Sequence, residues 1–525
     1  MLDETLHVSE QVDAARGDTE HTLSSGNGPS AEENKPVEAT KETFIHQTTS
    51  LCKVCKNGIP TRIVEFPNGD VWMKKRCDVH GQQDIQISND AEWYKQTRAY
   101  QTPKSPPKTF HKEVEYGCPF DCGACTSHEQ KIRLPIVTLT SACNLNCPIC
   151  YVHNKNADAY HIDKAEFAKI LDHLVTEHGG ELDLINFTGG DPTMHPNFLD
   201  FVEMSQEAGI HRVSICTNGI RLAKEEALVQ RIAEIGGRVA LSFDSFERDV
   251  DYAMQGAHLV ELKLRCMELL EKYNVNTTLI PVVTRGYNDH EIGKIIQFGL
   301  EKSNIRHIEV HLITYTGQGG IDFPRSGRIS MYEVLQAIEE TTDGFLKPDD
   351  YVPSPCAHPL CYQIAYLLMD PDGGPPIPFL RFLDKQTMYE CLADRLYLEP
   401  SPRLETAMQE AINRLWIEDE PESERALSLL NRLLRDLFPT GKALSREESL
   451  RRSEQWIKAV YVHSHMDEET FDTERAMMCC DSNCYADGSS IPVCNYNVLY
   501  REKEAEFMDK PKVWNERSGG QKSFH

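Results

Sequence analysis

The chain has 525 residues, 55 Lys and Arg against 81 Asp and Glu, and a formal net charge of −26. That balance excludes a protein whose main task is to coat nucleic acid, since phosphate binding needs a basic face. The hydrophobic fraction of 40% excludes a wholly disordered chain and supports a large core, with room for about three domains.

Residues 1–48 read as a disordered acidic tail. Through Glu42 they hold ten acidic and three basic residues and almost no large apolar side chains. Such a segment cannot bury enough surface to offset the entropy of ordering. The start, MLDETLHVSEQ, has neither a basic region nor an apolar run, so no export signal is expected. No run approaches the length of a membrane span. A cytoplasmic protein is therefore expected, and 18 cysteines there point to metal or cluster ligation rather than disulfides.

Residues 49–131 hold two cysteine groups. Cys52-x2-Cys55 and Cys77-x2-His80 flank a hairpin signalled by Pro67-Asn68-Gly69-Asp70. Two chelating pairs joined by a hairpin can place four ligands around one zinc or rubredoxin-like iron ion. Cys118, Cys122 and Cys125 follow just before the next element, with His128 read as a loop residue.

Residues 132–345 alternate strand and helix. Strands are expected at 134–140, 182–188, 212–217, 238–244, 277–285 and 305–315. Asp163 and Glu166 resemble a capping box, and Phe167, Ile170, Leu171 and Leu174 form one apolar stripe. Six βα units imply a parallel sheet, open or curled into part of a barrel, with chemistry at the carboxyl ends of its strands.

Residues 346–525 lose that rhythm. Leu427, Leu430, Leu434 and Leu437 fall on one face of a charged helical stretch and are expected to pack inward. The later segment, MMCCDSNCYADGSSIPVCNYN, resembles neither helix nor strand.

Chemistry concentrates in SACNLNCPICY. Cys143, Cys147 and Cys150 follow the first strand at Cys-x3-Cys-x2-Cys spacing, with Tyr151 next. Three thiolates on one loop can hold three irons of a [4Fe–4S] cluster and leave the fourth open to a small molecule. Nine further cysteines supply about what two more clusters need: Cys118, Cys122, Cys125, Cys356, Cys361, Cys479, Cys480, Cys484 and Cys494. One partition completes the Cys118 group with Cys356 or Cys361 and gives the tail cysteines to the other cluster. Cys216, Cys266 and Cys391 are isolated and read as buried hydrophobes.

The cluster loop resembles the radical S-adenosylmethionine (radical SAM) superfamily across about residues 132–320. Further marks lie at later strand ends: FTGGDPT with Gly189, Gly190, Asp191 and Thr193; CTNG with Thr217 and Asn218; SFD with Ser242 and Asp244; and TRG with Arg285. Asp191 stands where the superfamily more often has Glu. The resemblance implies an α/β fold: a partial (β/α)6 radical SAM barrel with an N-terminal metal knuckle and a C-terminal auxiliary-cluster region. It implies that these residues, with Tyr151, bind S-adenosylmethionine, the glycines by letting backbone approach it and Arg285 by pairing with its carboxylate. It also implies formation of a 5′-deoxyadenosyl radical, with electrons from a reductant such as ferredoxin or flavodoxin. Catalytic residues stay unassigned.

The outer cysteine motifs look like the tetraether lipid synthase group, some of whose relatives are labelled pterin methyltransferases. That resemblance implies carbon–carbon coupling of membrane lipid tails, one or two auxiliary [4Fe–4S] clusters and peripheral membrane contact. The alternative is methylation or modification of a pterin, peptide or small metabolite. A third reading, a non-enzymatic Fe–S electron-transfer protein, leaves the strand-end marks unexplained.

Overall fold

The computed structural model describes residues 42–152, 159–182, 184–393, 395–417, 421–441 and 443–500. The acidic stretch through residue 41 lies outside them. Its expected end at residue 48 is too late, because strand β1 already spans Thr43–Leu51. Its Thr- and Ile-containing sequence pairs antiparallel with β2 (Gly58–Glu65). β2 in turn pairs with β3 (Val71–Cys77). Phe66 N–H donates to the Asp70 carbonyl across the expected turn, where Gly69 takes a φ of 87°. β4 (Gly81–Gln82) and β5 (Ile85–Ser88) complete this small sheet.

The main sheet begins with β6 (Leu134–Thr140), β7 (Leu184–Gly189), β8 (Arg212–Thr217) and β9 (Arg238–Ser242), all parallel neighbours. The fifth expected strand is broken into β10 (Thr277–Ile280) and β11 (Val282–Val283). Pro281 lies between them and has no N–H to give the ladder. β12 (Ile305–Leu312) is the sixth.

The helix at Lys164–His178 starts as its sequence suggests. Asp163 accepts from Glu166 N–H at 2.8 Å, and Gly179 closes the helix at a φ of 60°. Its stripe of Phe167, Ile170, Leu171 and Leu174 packs under the sheet against Val137, Ile185 and Phe187.

The C-terminal region does not stand apart from this sheet. It supplies β13 (Val352–Pro353), β14 (Tyr362–Leu368), β15 (Ile377–Pro378) and β16 (Ile457–His463). β16 joins parallel to β12, and β14 joins antiparallel to β16. At the other edge β17 (Asp481–Cys484) pairs with β6, and β18 (Ser490–Pro492) folds back on β17. The stretch expected to be neither helix nor strand thus contains two short strands. Their polar sequence carries little strand signal; pairing with Leu134–Ile136 fixes them. The leucines of the charged stretch pack inward as expected. Leu430 and Leu437 are buried, and Leu427 and Leu434 lie against the same cluster.

Candidate functional site: a cysteine loop at the carboxyl ends of the parallel strands

The Cys143–Cys150 loop leaves the carboxyl end of β6 and is gripped from three sides. On the first, Gly190 N–H donates to the Thr140 carbonyl and Asp191 N–H to the Ala142 carbonyl, both at 2.8 Å. A Cβ on Gly189 would fall 2.0 Å from the Thr140 oxygen, and one on Gly190 2.2 Å from the Ala142 oxygen. The two glycines therefore admit the backbone that begins the cluster loop; their expected role was close approach to a cofactor.

Asp191 is buried and its oxygens are spent inside the protein. Oδ1 accepts from Thr193 N–H at 3.0 Å and Thr193 Oγ1 at 2.6 Å. Oδ2 accepts from Thr217 Oγ1 at 2.8 Å and Asn218 N–H at 3.0 Å. Asp191, Thr193 and Thr217 thus form a brace joining the ends of β7 and β8. Asn218 reaches further: its Nδ2 donates to Asn144 Oδ1 at 2.7 Å and lies 3.9 Å from Cys143 Sγ.

The second grip comes from the end of the helix at Arg248–Gln255. Ile149 N–H donates to the Met254 carbonyl at 3.3 Å, and Cys147 Sγ donates to Gln255 Oε1 at 3.1 Å. Gln255 Nε2 donates onward to the buried Asp244 carboxylate, which also accepts from Val282 N–H at 2.8 Å. Burial pushes Asp244 above the usual carboxylate range. Lys263 is wholly buried, its Nζ has no hydrogen-bond partner, and its charge acts on both Cys147 and Asp244.

The third grip is the Gly317–Gly320 segment after β12. Gly319 N–H donates to the Cys150 carbonyl at 2.8 Å, and a Cβ on Gly317 would lie 2.4 Å from the Tyr151 carbonyl carbon. Thr316 Oγ1 donates to the Tyr151 carbonyl. Gln255, Lys263 and this glycine run escaped the sequence reading, although GQGG just past the sixth strand is itself a close-approach signal.

Two expected cofactor contacts behave differently. Arg285 is held by partners outside the loop. Its Nη2 donates to Glu333 Oε1 at 2.6 Å and its Nε to the Arg328 carbonyl at 2.9 Å, so its charge is already paired. Ser242 ends β9 in a half-buried position.

The Cys143 trio is chemically fit for a cluster. Burial pushes the Cys143 thiol up to about 12 and Cys147 well above the ordinary range, so binding iron releases protons here. Among the described residues, only three groups bring all their ligand atoms within 4.8 Å of one another, as a single ion requires; this trio is not one of them.

The knuckle does form such a group, from Cys52, Cys55, Cys77 and His80. Cys52 Sγ and Cys77 Sγ each lie 3.5 Å from His80 Nδ1, and Cys55 and Cys77 are 3.9 Å apart. Gln83 Nε2 donates to Cys52 Sγ at 3.1 Å, a second layer of support for the ligand. Behind it, buried Lys75 donates to Ser50 Oγ and to the Leu51 and Glu468 carbonyls, each at 3.0 Å.

The outer cysteines divide otherwise than expected. Cys118, Cys122 and Cys125 face one another on a single loop, and Asn495 Nδ2 donates to Cys122 Sγ at 3.0 Å. Cys356 Sγ lies 3.4 Å from Cys480 Sγ. Cys361 Sγ accepts from Arg475 Nε at 3.4 Å. Cys484 sits apart in the apolar core beneath the sheet. His128 is a half-buried loop residue whose Nε2 lies 2.8 Å from the Cys479 carbonyl. Cys266 and Cys391 are core residues as expected, and Cys216 donates to Asn186 Oδ1.

The family model of the radical SAM superfamily matches residues 137–299, the stretch that carries β6 to β11 and the cluster loop. That stretch is a radical SAM domain. Such a domain implies a radical SAM enzyme with a [4Fe–4S] cluster that binds S-adenosylmethionine. A second model, the HMPTM N-terminal zinc ribbon domain, matches residues 44–89. The knuckle is that ribbon.

Over 504 residues the chain is 28% identical to 7,8-dihydro-6-hydroxymethylpterin dimethyltransferase of Methanocaldococcus jannaschii, covering 89% of this chain and 96% of that protein. It is 29% identical over 212 residues to GTP 3′,8-cyclase of Chlorobaculum tepidum, covering 38% of this chain and 62% of that one. Among solved structures, Streptococcus suis SuiB bound to its precursor peptide aligns at 17% identity and a TM-score of 0.34, over 41% of this chain and 46% of that chain. No described helix is long and apolar enough to cross a membrane.

Proposed function

We propose that this enzyme makes a carbon–carbon bond at an unactivated carbon, and that it alkylates a pterin-like heterocycle. The observation that carries the radical chemistry is the Cys143–Cys150 loop, clamped by Gly189–Gly190, Met254–Gln255 and Gly317–Gly319 where the parallel strands end. When bound, the cluster supplies one electron to S-adenosylmethionine, whose 5′-deoxyadenosyl fragment then removes a hydrogen atom from substrate. The chain's own part is position. The glycine contacts fix the loop backbone, the Asp191 brace fixes the ends of β7 and β8, and Asn218 stands within reach of Cys143.

The relative named as a pterin dimethyltransferase spans nearly the whole chain, ribbon and C-terminal region included, and supports the heterocycle. A cavity of about 380 Å³ beside His465 is within the range of small-ligand sites. Its wall is mixed, with Arg325 and Arg328 facing Ile313 and Ile329.

The apolar part of that wall, Leu312, Ile313, Ile329, Met331 and Leu360, favours a second reading. In it the enzyme couples membrane-lipid tails, the arginines serving an anionic headgroup and the outer cysteine groups holding auxiliary [4Fe–4S] clusters.

The test is anaerobic, with reduced, cluster-loaded protein and S-adenosylmethionine. Formation of 5′-deoxyadenosine and its loss in Cys150→Ala are expected. Absence of cleavage by the intact protein overturns both readings. Mass spectrometry after adding a dihydropterin or isolated membrane lipid then separates them by which one gains carbon or is joined.

A further inference from the structure

We propose that His311, His463 and His465 form a binding site for a divalent first-row metal ion, Zn(II) or Fe(II), distinct from the ribbon and from every cysteine group. The proposal goes beyond the reaction proposed above and does not depend on it. Parallel pairing of β12 with β16 places His311 directly opposite His463. His465 lies two residues beyond His463, just past the end of that strand. Ring centroids are 5.1 Å apart for His311–His463, 5.2 Å for His311–His465 and 4.0 Å for His463–His465. One nitrogen from each ring falls within 4.8 Å of the other two.

A carboxylate backs this group. Glu309 lies two residues before His311, and strand alternation puts the pair on one face. Its Oε1 is 3.0 Å from His311 Nε2 and 3.4 Å from His463 Nδ1.

One feature argues against a self-satisfied histidine cluster. His463 is only 5% exposed, and its Nδ1, 3.4 Å from Glu309 Oε1, makes no hydrogen bond of good geometry. A buried nitrogen without a partner is costly unless something accepts its lone pair. The rings are also held in place. Tyr362 stacks on His463 at 3.8 Å and 24°, and its hydroxyl donates to Asp481, whose carboxylate is 3.8 Å from His463 Nε2. Three imidazoles with a supporting carboxylate suit Zn(II) or Fe(II). His465 also lines the cavity and stacks at 6.3 Å on Tyr151, so the ion borders the space beside the cluster loop. An open coordination position would take a substrate oxygen, a carbonyl or an oxyanion.

His465 Nδ1 lies 3.8 Å from Cys494 Sγ, so ligation of a cluster by His465 is the rival outcome. The test uses full-length, cluster-loaded protein, washed with chelator and supplied with ZnCl2 alone. Wild type should hold one divalent ion more than the ribbon accounts for. His463→Ala and His465→Ala should each lose that ion and keep acid-labile sulfide. An unchanged metal count in both variants, or no ion beyond the ribbon's in wild type, overturns the site. Should the variants fail to fold, zinc K-edge absorption of wild type decides. Imidazole scattering beyond one histidine per ribbon is expected, and a spectrum explained by three sulfurs and one imidazole overturns the proposal. Nitrogen coupling from His465 on a cluster's paramagnetic signal also overturns it.

Discussion

Cys147 and Asp244 are joined through one side chain: Gln255 accepts from the Cys147 sulfur at 3.1 Å and donates to the Asp244 carboxylate. This links the middle cysteine of the cluster loop to the end of the fourth strand, across a fully buried amide bridge. Replacing Gln255 by Leu leaves Asp244 short of a donor in a buried site. The expected cost is about 1–3 kcal/mol, read as a lower denaturation midpoint, with iron content at the cluster loop retained.

Gly189→Ala and Gly190→Ala should be far more damaging than alanine at an open glycine. The added methyl meets backbone oxygen at 2.0 and 2.2 Å, and backbone cannot move aside cheaply. A loss of about 3 kcal/mol or more is expected, with failure to load the loop's iron, read by iron and sulfide analysis. Gly209→Ala, with nothing within 4 Å of its Cβ position but a φ of 92°, is the control for backbone strain alone.

The auxiliary cysteines give a sharp comparison. If Cys361, Cys479 and Cys494 share one cluster, alanine at any of them should remove about four irons. Cys484→Ala should remove none, because that residue lies in the apolar core. Iron counts on the four variants check this directly.

Chelation of the ribbon metal should loosen more than the ribbon. Lys75 ties β3 to Glu468, which lies in the C-terminal region. His80→Ala is expected to lose one metal equivalent and to make residues 44–89 sensitive to protease, while cleavage of S-adenosylmethionine persists.

Acid should weaken the protein through Asp467. Burial pushes this carboxyl up, but Arg328 at 2.9 Å outweighs it and holds the group at about 2. A carboxyl depressed in the folded state adds stability that is fully present above its unfolded value, near 3.8, and lost as pH falls through about 2. The expected contribution is about 2 kcal/mol. Unfolding followed between pH 5 and 2, ranges chosen around those values, should show a shallower acid slope in Asp467→Asn than in wild type.

The barrel strands were legible because each carries its own local apolar pattern between turn signals. β6 and β8 match their expected bounds, and the others differ at their ends or, at Pro281, by a break. The cluster loop was legible for the same reason: three cysteines in eight residues need no tertiary information. The outer cysteines were not. Cys356 meets Cys480 only through the pairing of β14 with β16 and of β17 with β6, which spacing cannot reveal. The place of Arg285 at a strand end says nothing of Glu333, which pairs with it from a later helix. The histidine group left a faint trace in EVH and VHSH, but only the register of β12 and β16 brings those fragments together.

Both margins of the main sheet are closed by late segments: β16 covers β12 and β17 covers β6. During synthesis the six barrel strands therefore emerge with raw hydrogen-bonding rims, which invite association with other chains until the last segments arrive. The outer cysteines cannot come together before the same segments arrive. A shortened chain ending before β16 would thus fail by clumping rather than by mere loss of activity.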